Sequence, residues 1–260
     1  MSSSLVVSEE ISPGVLRLCL NDPERRNAMS EEMAVLFGNT VEELCARKDL
    51  RVVVLTGAGK AFSGGGHLDM LFEKTSISQD ENRRLMELFY DQFLSLLRLP
   101  VPVVAAINGH AIGAGLCIAL ACDIRIANEK AKLGVNFVNL ALHPGMGATY
   151  FLPRIVGPAY AAELLYGGKI IDSNEGHRIG LVNRVVSPEE FDTVVSETVN
   201  GIAAAGPQAM RALKESLRFS MTRSLEECLK REAECQALDY SGSEFLEGIS
   251  AAKEKRKLRF

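Results

Sequence analysis

Positive charge is not in excess in this chain: 29 lysines and arginines are set against 33 aspartates and glutamates, for a formal net charge of −4. Such a balance gives no footprint for nucleic acid, although a local basic patch could still serve an anionic ligand. Histidine is scarce, with four in 260 residues, and none has ligand-like spacing, so no structural metal is expected. The six cysteines (Cys19, Cys45, Cys117, Cys122, Cys228 and Cys235) form no CxxC pair and sit in apolar segments. Free thiols in a reducing compartment are the reading. No apolar run reaches the length of a membrane span. The Met1–Val7 start lacks a basic region ahead of a long apolar stretch, and Lys257-Leu258-Arg259-Phe260 is not the peroxisomal tripeptide. A cytoplasmic location is expected by elimination.

What remains is an ordinary globular composition, 47% hydrophobic and 24% charged, long enough for one large core with a small appendage. Strands are expected at Val15–Leu20, Arg51–Leu55, Val101–Ile107, Ile124–Ala127, Lys132–Asn136 and Leu181–Val186. Ser30 reads as a helix N-cap, ahead of an apolar face of Met33, Leu36, Phe37, Val41 and Leu44. Helical spacing returns at Leu85–Leu96, Leu116–Cys122, Thr149–Ile155 and Ala159–Leu165. Glu73–Glu81 is polar and poorly patterned, a candidate mobile segment. Beyond Pro188 only helical patterning appears, in Phe191–Ala205, Pro207–Met221, Leu225–Leu238 and Glu244–Lys255. The expectation is an α/β core over residues 1–190 and a helical region over 191–260. Short strands leave a spiral of strand–strand–helix units at least as open as a doubly wound sheet.

Two glycine-rich turns stand out, Phe62-Ser63-Gly64-Gly65-Gly66-His67-Leu68 and Asn108-Gly109-His110-Ala111-Ile112-Gly113-Ala114-Gly115. Each follows a strand, and the second opens onto a helix start, which exposes backbone N–H groups and a partial positive charge. Glycine and alanine let a ligand approach that backbone, and free donors suit a developing oxyanion. The pair reads as a site for stabilising an enolate.

With Pro23–Met29, Cys122-Asp123-Ile124, His143–Gly147, Gly180–Val186 and the ending Glu247–Arg256, these turns occur in order along the chain. In this the sequence resembles the crotonase family, the enoyl-CoA hydratase/isomerase superfamily. The resemblance implies a spiral of ββα units and a helical C-terminal region that builds homotrimers, often paired into hexamers. It implies an acyl-CoA ligand whose thioester oxygen is held by two backbone amides, which fall at Gly66 and Ala114. Coenzyme A enters as part of the substrate, and no separate cofactor or membrane partner is implied. Arg26 and Ala28 lie in the turn that resembles the adenine and pantetheine loop. Gly64 and Leu68 would offer backbone groups to the same ligand. Lys255 matches a lysine that reaches CoA phosphates, sometimes from a neighbouring subunit, or else is a solvated surface lysine.

The pattern breaks at the catalytic carboxylates. Hydratases of the family use two glutamates to position a water and move its proton; here those positions hold Cys117 and Phe137. His67, directly after Gly66, reads as acid, base or carboxylate orienter, or as a polar filler of the loop. Cys117 reads as a thiol with a lowered pKa on the first turn of a helix, or as a small apolar filler. His143 lies in a loop near the acyl pocket or is a hydrogen-bonded loop residue. Asn136 could donate to a polar acyl group, and Asp69 and Glu73 could be brought inward by a mobile segment. His110 and His177 are weaker candidates. Three functions follow from the resemblance: a hydratase or isomerase with relocated groups, a decarboxylase of malonyl-type thioesters or a thioester hydrolase, and a silent acyl-CoA-binding scaffold.

Overall fold

The computed structural model describes residues 4–260. The chain winds as a spiral in which each turn places one strand in a large sheet and a shorter one in a second layer. β1 (Val6–Ser12) and β2 (Val15–Leu20) form an antiparallel hairpin, and a single extended residue, Met29, then enters the second layer before α1 (Glu31–Ala46). The next turn is β3 (Val52–Gly57), β4 (Ala61–Ser63), α2 (Leu68–Glu73) and α3 (Gln79–Leu94). It is followed by β5 (Val103–Ile107), β6 (His110–Ile112) and α4 (Ala114–Leu120), then β7 (Ile124–Asn128), β8 (Lys132–Gly134) and α5 (Ala148–Gly167). β9 (Ile170–Asp172), α6 (Ser173–Arg178) and β10 (Arg184–Val186) close the spiral. The large sheet runs β1-β2-β3-β5-β7-β10, parallel from β2 onward, and the small one runs β4-β6-β8-β9.

The alternation of side chains along the central strands sorts them between two cores. Leu16, Leu18, Val53, Leu55, Val103, Ala105 and Ile107 face α1, α3 and α4 in the main core. Val15, Val52, Val54, Val104 and Ala106 face the opposite way. That second face is covered by α7 (Phe191–Ala203) through Phe191, Val195 and Val199. By packing, α7 therefore belongs to the sheet, on the N-terminal side of the helices α8 (Pro207–Ser220), α9 (Leu225–Tyr240) and α10 (Ser243–Glu254). α8 is anchored by Lys214, 5% exposed, whose ammonium lies 3.0 Å from the Asp123 carboxylate and donates to the Val101 carbonyl.

Local signals account for most of these elements. Ser30 caps α1 by accepting the Met33 amide at 3.1 Å, as its position predicts. α5 is two helical stretches joined at Gly157 (φ 78°) ahead of Pro158, matching the two separate spacings in the sequence. The segment read as a candidate mobile stretch carries local structure. Glu73 ends α2, residues 74–76 form a single 3₁₀ turn, and the Asn82 amide donates to the Lys74 and Ile77 carbonyls. Lys74 also pairs with Glu31. Its polarity reflects an exposed surface rather than missing structure.

Candidate active site

The two glycine turns lie against each other at one end of the spiral. A Cβ on Gly65 would stand 2.7 Å from the Ile112 carbonyl oxygen and 3.6 Å from Ala114 N, and Gly65 has φ 94°. A Cβ on Gly115 would stand 2.6 Å from both the Cβ and the carbonyl oxygen of Ser63. Both contacts are closer than any side chain permits, so glycine at 65 and 115 is what lets the turns touch.

Peptide geometry then aims the two amides. Among the described residues no peptide bond is cis, so each N–H points opposite to the carbonyl of its own peptide plane. The Gly65 carbonyl accepts the Met29 amide at 2.7 Å, and the His67 amide donates to the Met29 carbonyl at 3.0 Å. The Gly66 N–H is therefore turned from Met29 toward the other neighbour of this segment, Ile112–Ala114. At the second turn, the Gly113 carbonyl accepts from Leu116 and Cys117, each at 3.1 Å, and points down α4. The Ala114 N–H, at the first position of that helix, points out of its N-terminus. Among the described residues, neither amide donates a hydrogen bond within the chain. Unpaired main-chain donors beside a helix N-terminus are groups of the kind that stabilise a carbonyl oxygen carrying negative charge.

The side chains named from the sequence fall in different places. His67 is partly buried beside Gly66, with Nδ1 3.9 Å from an oxygen of the exposed Asp69 carboxylate. Arg26 is exposed in a left-handed turn, and its carbonyl accepts the Gly64 amide at 2.8 Å, so Arg26, Ala28 and Gly64 form one continuous rim. Leu68 is 69% exposed at the start of α2, on the same rim. His143 is brought to neither glycine turn by any hydrogen bond. It is exposed, with Nδ1 2.8 Å from the Pro144 carbonyl, in an outward-facing cleft with Leu142, Leu165 and Tyr166. Lys255 is exposed at the end of α10, and no hydrogen bond or ion pair joins it to the Arg26 turn. The chain end beyond it folds back, so that Arg256 pairs with Glu247 and the Phe260 ring lies near Gly206 and Arg51.

Cys117 corrects one expectation outright. It lies one turn into α4, where the dipole favours a thiolate, yet the residue is fully buried and burial pushes the thiol up to about 12. Desolvation overrides the helix terminus, so this group is neutral at ordinary pH. Phe137 and Asn136 border the second turn: a Cβ on Gly113 would stand 4.0 Å from the Phe137 ring and 3.8 Å from Asn136 Oδ1. Tyr90, on α3, escaped the sequence reading. Its hydroxyl lies against Gly145, and its burial and, to a smaller extent, Cys117 raise its pKa. Only the helical spacing of Met86, Tyr90 and Phe93 hinted at its orientation.

The family model described as enoyl-CoA hydratase/isomerase matches residues 10–260. A crotonyl-CoA hydratase of Syntrophomonas wolfei is 34% identical over 244 residues, spanning 94% of this chain and 93% of that protein. A short-chain-enoyl-CoA hydratase of Clostridium acetobutylicum is 34% identical over 240 residues, 92% of this chain and 91% of its own length. The crystal structure of an enoyl-CoA hydratase from Bacillus anthracis superimposes with a TM-score of 0.92 at 34% identity, covering 98% of both chains.

Proposed function

Because the chain belongs to the enoyl-CoA hydratase/isomerase family, we propose that it binds an acyl-CoA thioester with the carbonyl oxygen between the amides of Gly66 and Ala114. The observation that supports this reading is the pair of N–H groups left unpaired on two glycine turns that touch each other. An enolate or related oxyanion formed there is stabilised by main chain alone, and removing one such donor typically costs about 10²–10³ in rate. The exposed rim of Arg26, Ala28, Gly64 and Leu68 receives the nucleotide and pantetheine part of the ligand. Lys255 contributes to the CoA phosphates from another copy of the chain. Coenzyme A arrives with the substrate, and the reaction uses no separate cofactor.

The reaction is not the two-carboxylate hydration. Position 117 holds a neutral buried thiol and position 137 an aromatic ring, and neither moves a proton at neutral pH. His67, next to the oxyanion site, is the acid, base or carboxylate orienter of this scheme. Chemistry that begins without proton abstraction fits these residues well. Decarboxylation of a malonyl-type thioester is the leading case, because loss of CO₂ generates the enolate directly. Thioester hydrolysis is the second.

The assembly proposed is a homotrimer or a hexamer, built through the exposed apolar side chains of α8 and α9, among them Leu213, Leu217, Leu225 and Leu229. Among the described residues no helix is long and apolar enough to cross a membrane. A cytoplasmic setting is part of the same proposal. The test is a panel of crotonyl-, malonyl- and 3-hydroxybutyryl-CoA followed by mass spectrometry. Crotonyl-CoA hydration is expected to fall well below the roughly 1–1000 per second of ordinary enzymes; hydration within that range would overturn the reading. Tight binding of every thioester with turnover of none would identify a silent acyl-CoA-binding scaffold instead.

A further inference from the structure

One side chain packed against the main core, Tyr90, carries a hydroxyl that the fold does not use. Tyr90 projects from α3 on the face it shares with Met86 and Phe93, and its ring packs against the main core. The hydroxyl comes to rest against the main chain of Gly145, where a Cβ would collide with it and would stand 3.0 Å from the ring carbon that bears it. It also lies close enough to Cys117 that a charge on that sulfur would oppose ionisation of the phenol. Cys117 follows Ala114 by three residues on α4, one turn below its unpaired amide. The phenol is therefore placed near the depth at which an acyl chain, entered past Gly66 and Ala114, would end.

Among the described residues the Tyr90 hydroxyl makes no hydrogen bond, and it does not belong to the fully enclosed polar atoms that lack one. A neutral phenol is both donor and acceptor, and a half-buried one ordinarily finds a partner. Cys117, a weakly polar thiol, supplies none, and the Asn136 carboxamide, which lies near Gly113, is likewise without a hydrogen bond within the chain. No carboxylate stands at 117 or 137 to repel an electron-rich substituent.

We propose that the Tyr90 hydroxyl donates to an oxygen on the acyl chain, near Cβ, so that the protein selects oxygenated acyl-CoA thioesters over hydrocarbon ones. This rests on the thioester carbonyl lying between Gly66 and Ala114, and it adds a specificity residue to that reading. One hydrogen bond is worth about 0.5–1.5 kcal/mol net, so its loss corresponds to a roughly 2- to 12-fold change in affinity.

The experiment is calorimetric titration of the wild type and Tyr90→Phe with acetoacetyl-CoA, which carries an oxygen at Cβ, and with butyryl-CoA, which does not. The wild type is expected to bind acetoacetyl-CoA more tightly. Tyr90→Phe is expected to weaken acetoacetyl-CoA binding about 5-fold while leaving butyryl-CoA within 2-fold. Equal weakening of both ligands would mark a packing role and overturn the proposal, as would no weakening of either. Tyr90→Phe keeps the ring, and its thermal midpoint, measured in parallel, is expected to match the wild type. Failure of the wild type to bind either thioester would remove the acyl-CoA reading itself, and this proposal with it.

Discussion

The spiral core and the last three helices are built by different rules. In the core the central strands are buried on both faces, and chain segments meet at backbone distance wherever glycine stands between them. In α8–α10 only Lys214 and Ala251 are buried, while Leu213, Leu217, Leu225, Leu229, Leu238 and Leu246 are exposed. The core completes its own packing within one chain and holds the pair of glycine turns. The helices leave apolar surface uncovered within the chain. In the proposed function the two unpaired amides therefore belong to the part packed within one chain, and the assembly surface, together with Lys255, to the part that is not. Substitutions should separate the two.

The largest effect is expected at the contact between the turns. Gly115→Val places methyl groups where Ser63 already stands at 2.6 Å, and the change should cost about 3 kcal/mol or more in chemical denaturation. A loss under about 1 kcal/mol would show that the turns can part without penalty. That result would blur the line between core and appendage.

A smaller effect concerns alkaline stability. The Cys117 thiol is held at about 12 in the folded chain against an ordinary value near 9, so the folded state keeps its proton while the unfolded chain releases it. The stability this provides is fully present below pH 9 and is lost as pH rises toward 12. Cys117→Ala removes the titrating group, so between pH 9 and 10.5 the variant should lose about 2 kcal/mol less than the wild type. Parallel loss of stability in both proteins would mean that this thiol is not desolvated.

The smallest effect is expected on the exposed side of α7. A Cβ on Gly201 would meet no atom within 4 Å, so Gly201→Ala should raise stability by about 0.5–1 kcal/mol through the unfolded chain. The opposite signs expected at Gly115 and Gly201 separate a glycine that the core contact requires from one on the solvent face of a helix that covers the core. A destabilised Gly201→Ala would mean that another element covers this position.

The legibility of the sequence followed the range of the interactions. α1 could be read because its cap and its apolar face are local features, and the helices beyond Pro207 for the same reason. β1 was missed because it is an exposed, polar edge strand whose apolar pattern is nearly empty. β4, β6 and β9 are three residues each, too short for alternation to show. The glycine turns were legible because close backbone approach leaves a compositional trace. Cys117 was read in both directions, since a helix start favours a thiolate and burial opposes it, and only packing decides between them. Tyr90 left no trace beyond its helical spacing, because its approach to Cys117 and Gly145 joins three elements distant in the chain.

The central claim is that two main-chain amides polarise a thioester carbonyl, and a vibrational measurement addresses it without knowledge of the reaction. Ala114 occupies the first position of α4, where proline is tolerated, so Ala114→Pro removes the donor and keeps the helix. The isotope-edited infrared band of a ¹³C-labelled butyryl-CoA carbonyl should move to lower frequency on binding to the wild type. It should return most of the way to its solution value on Ala114→Pro. A band unmoved by the wild type, or moved equally by both proteins, would contradict the account.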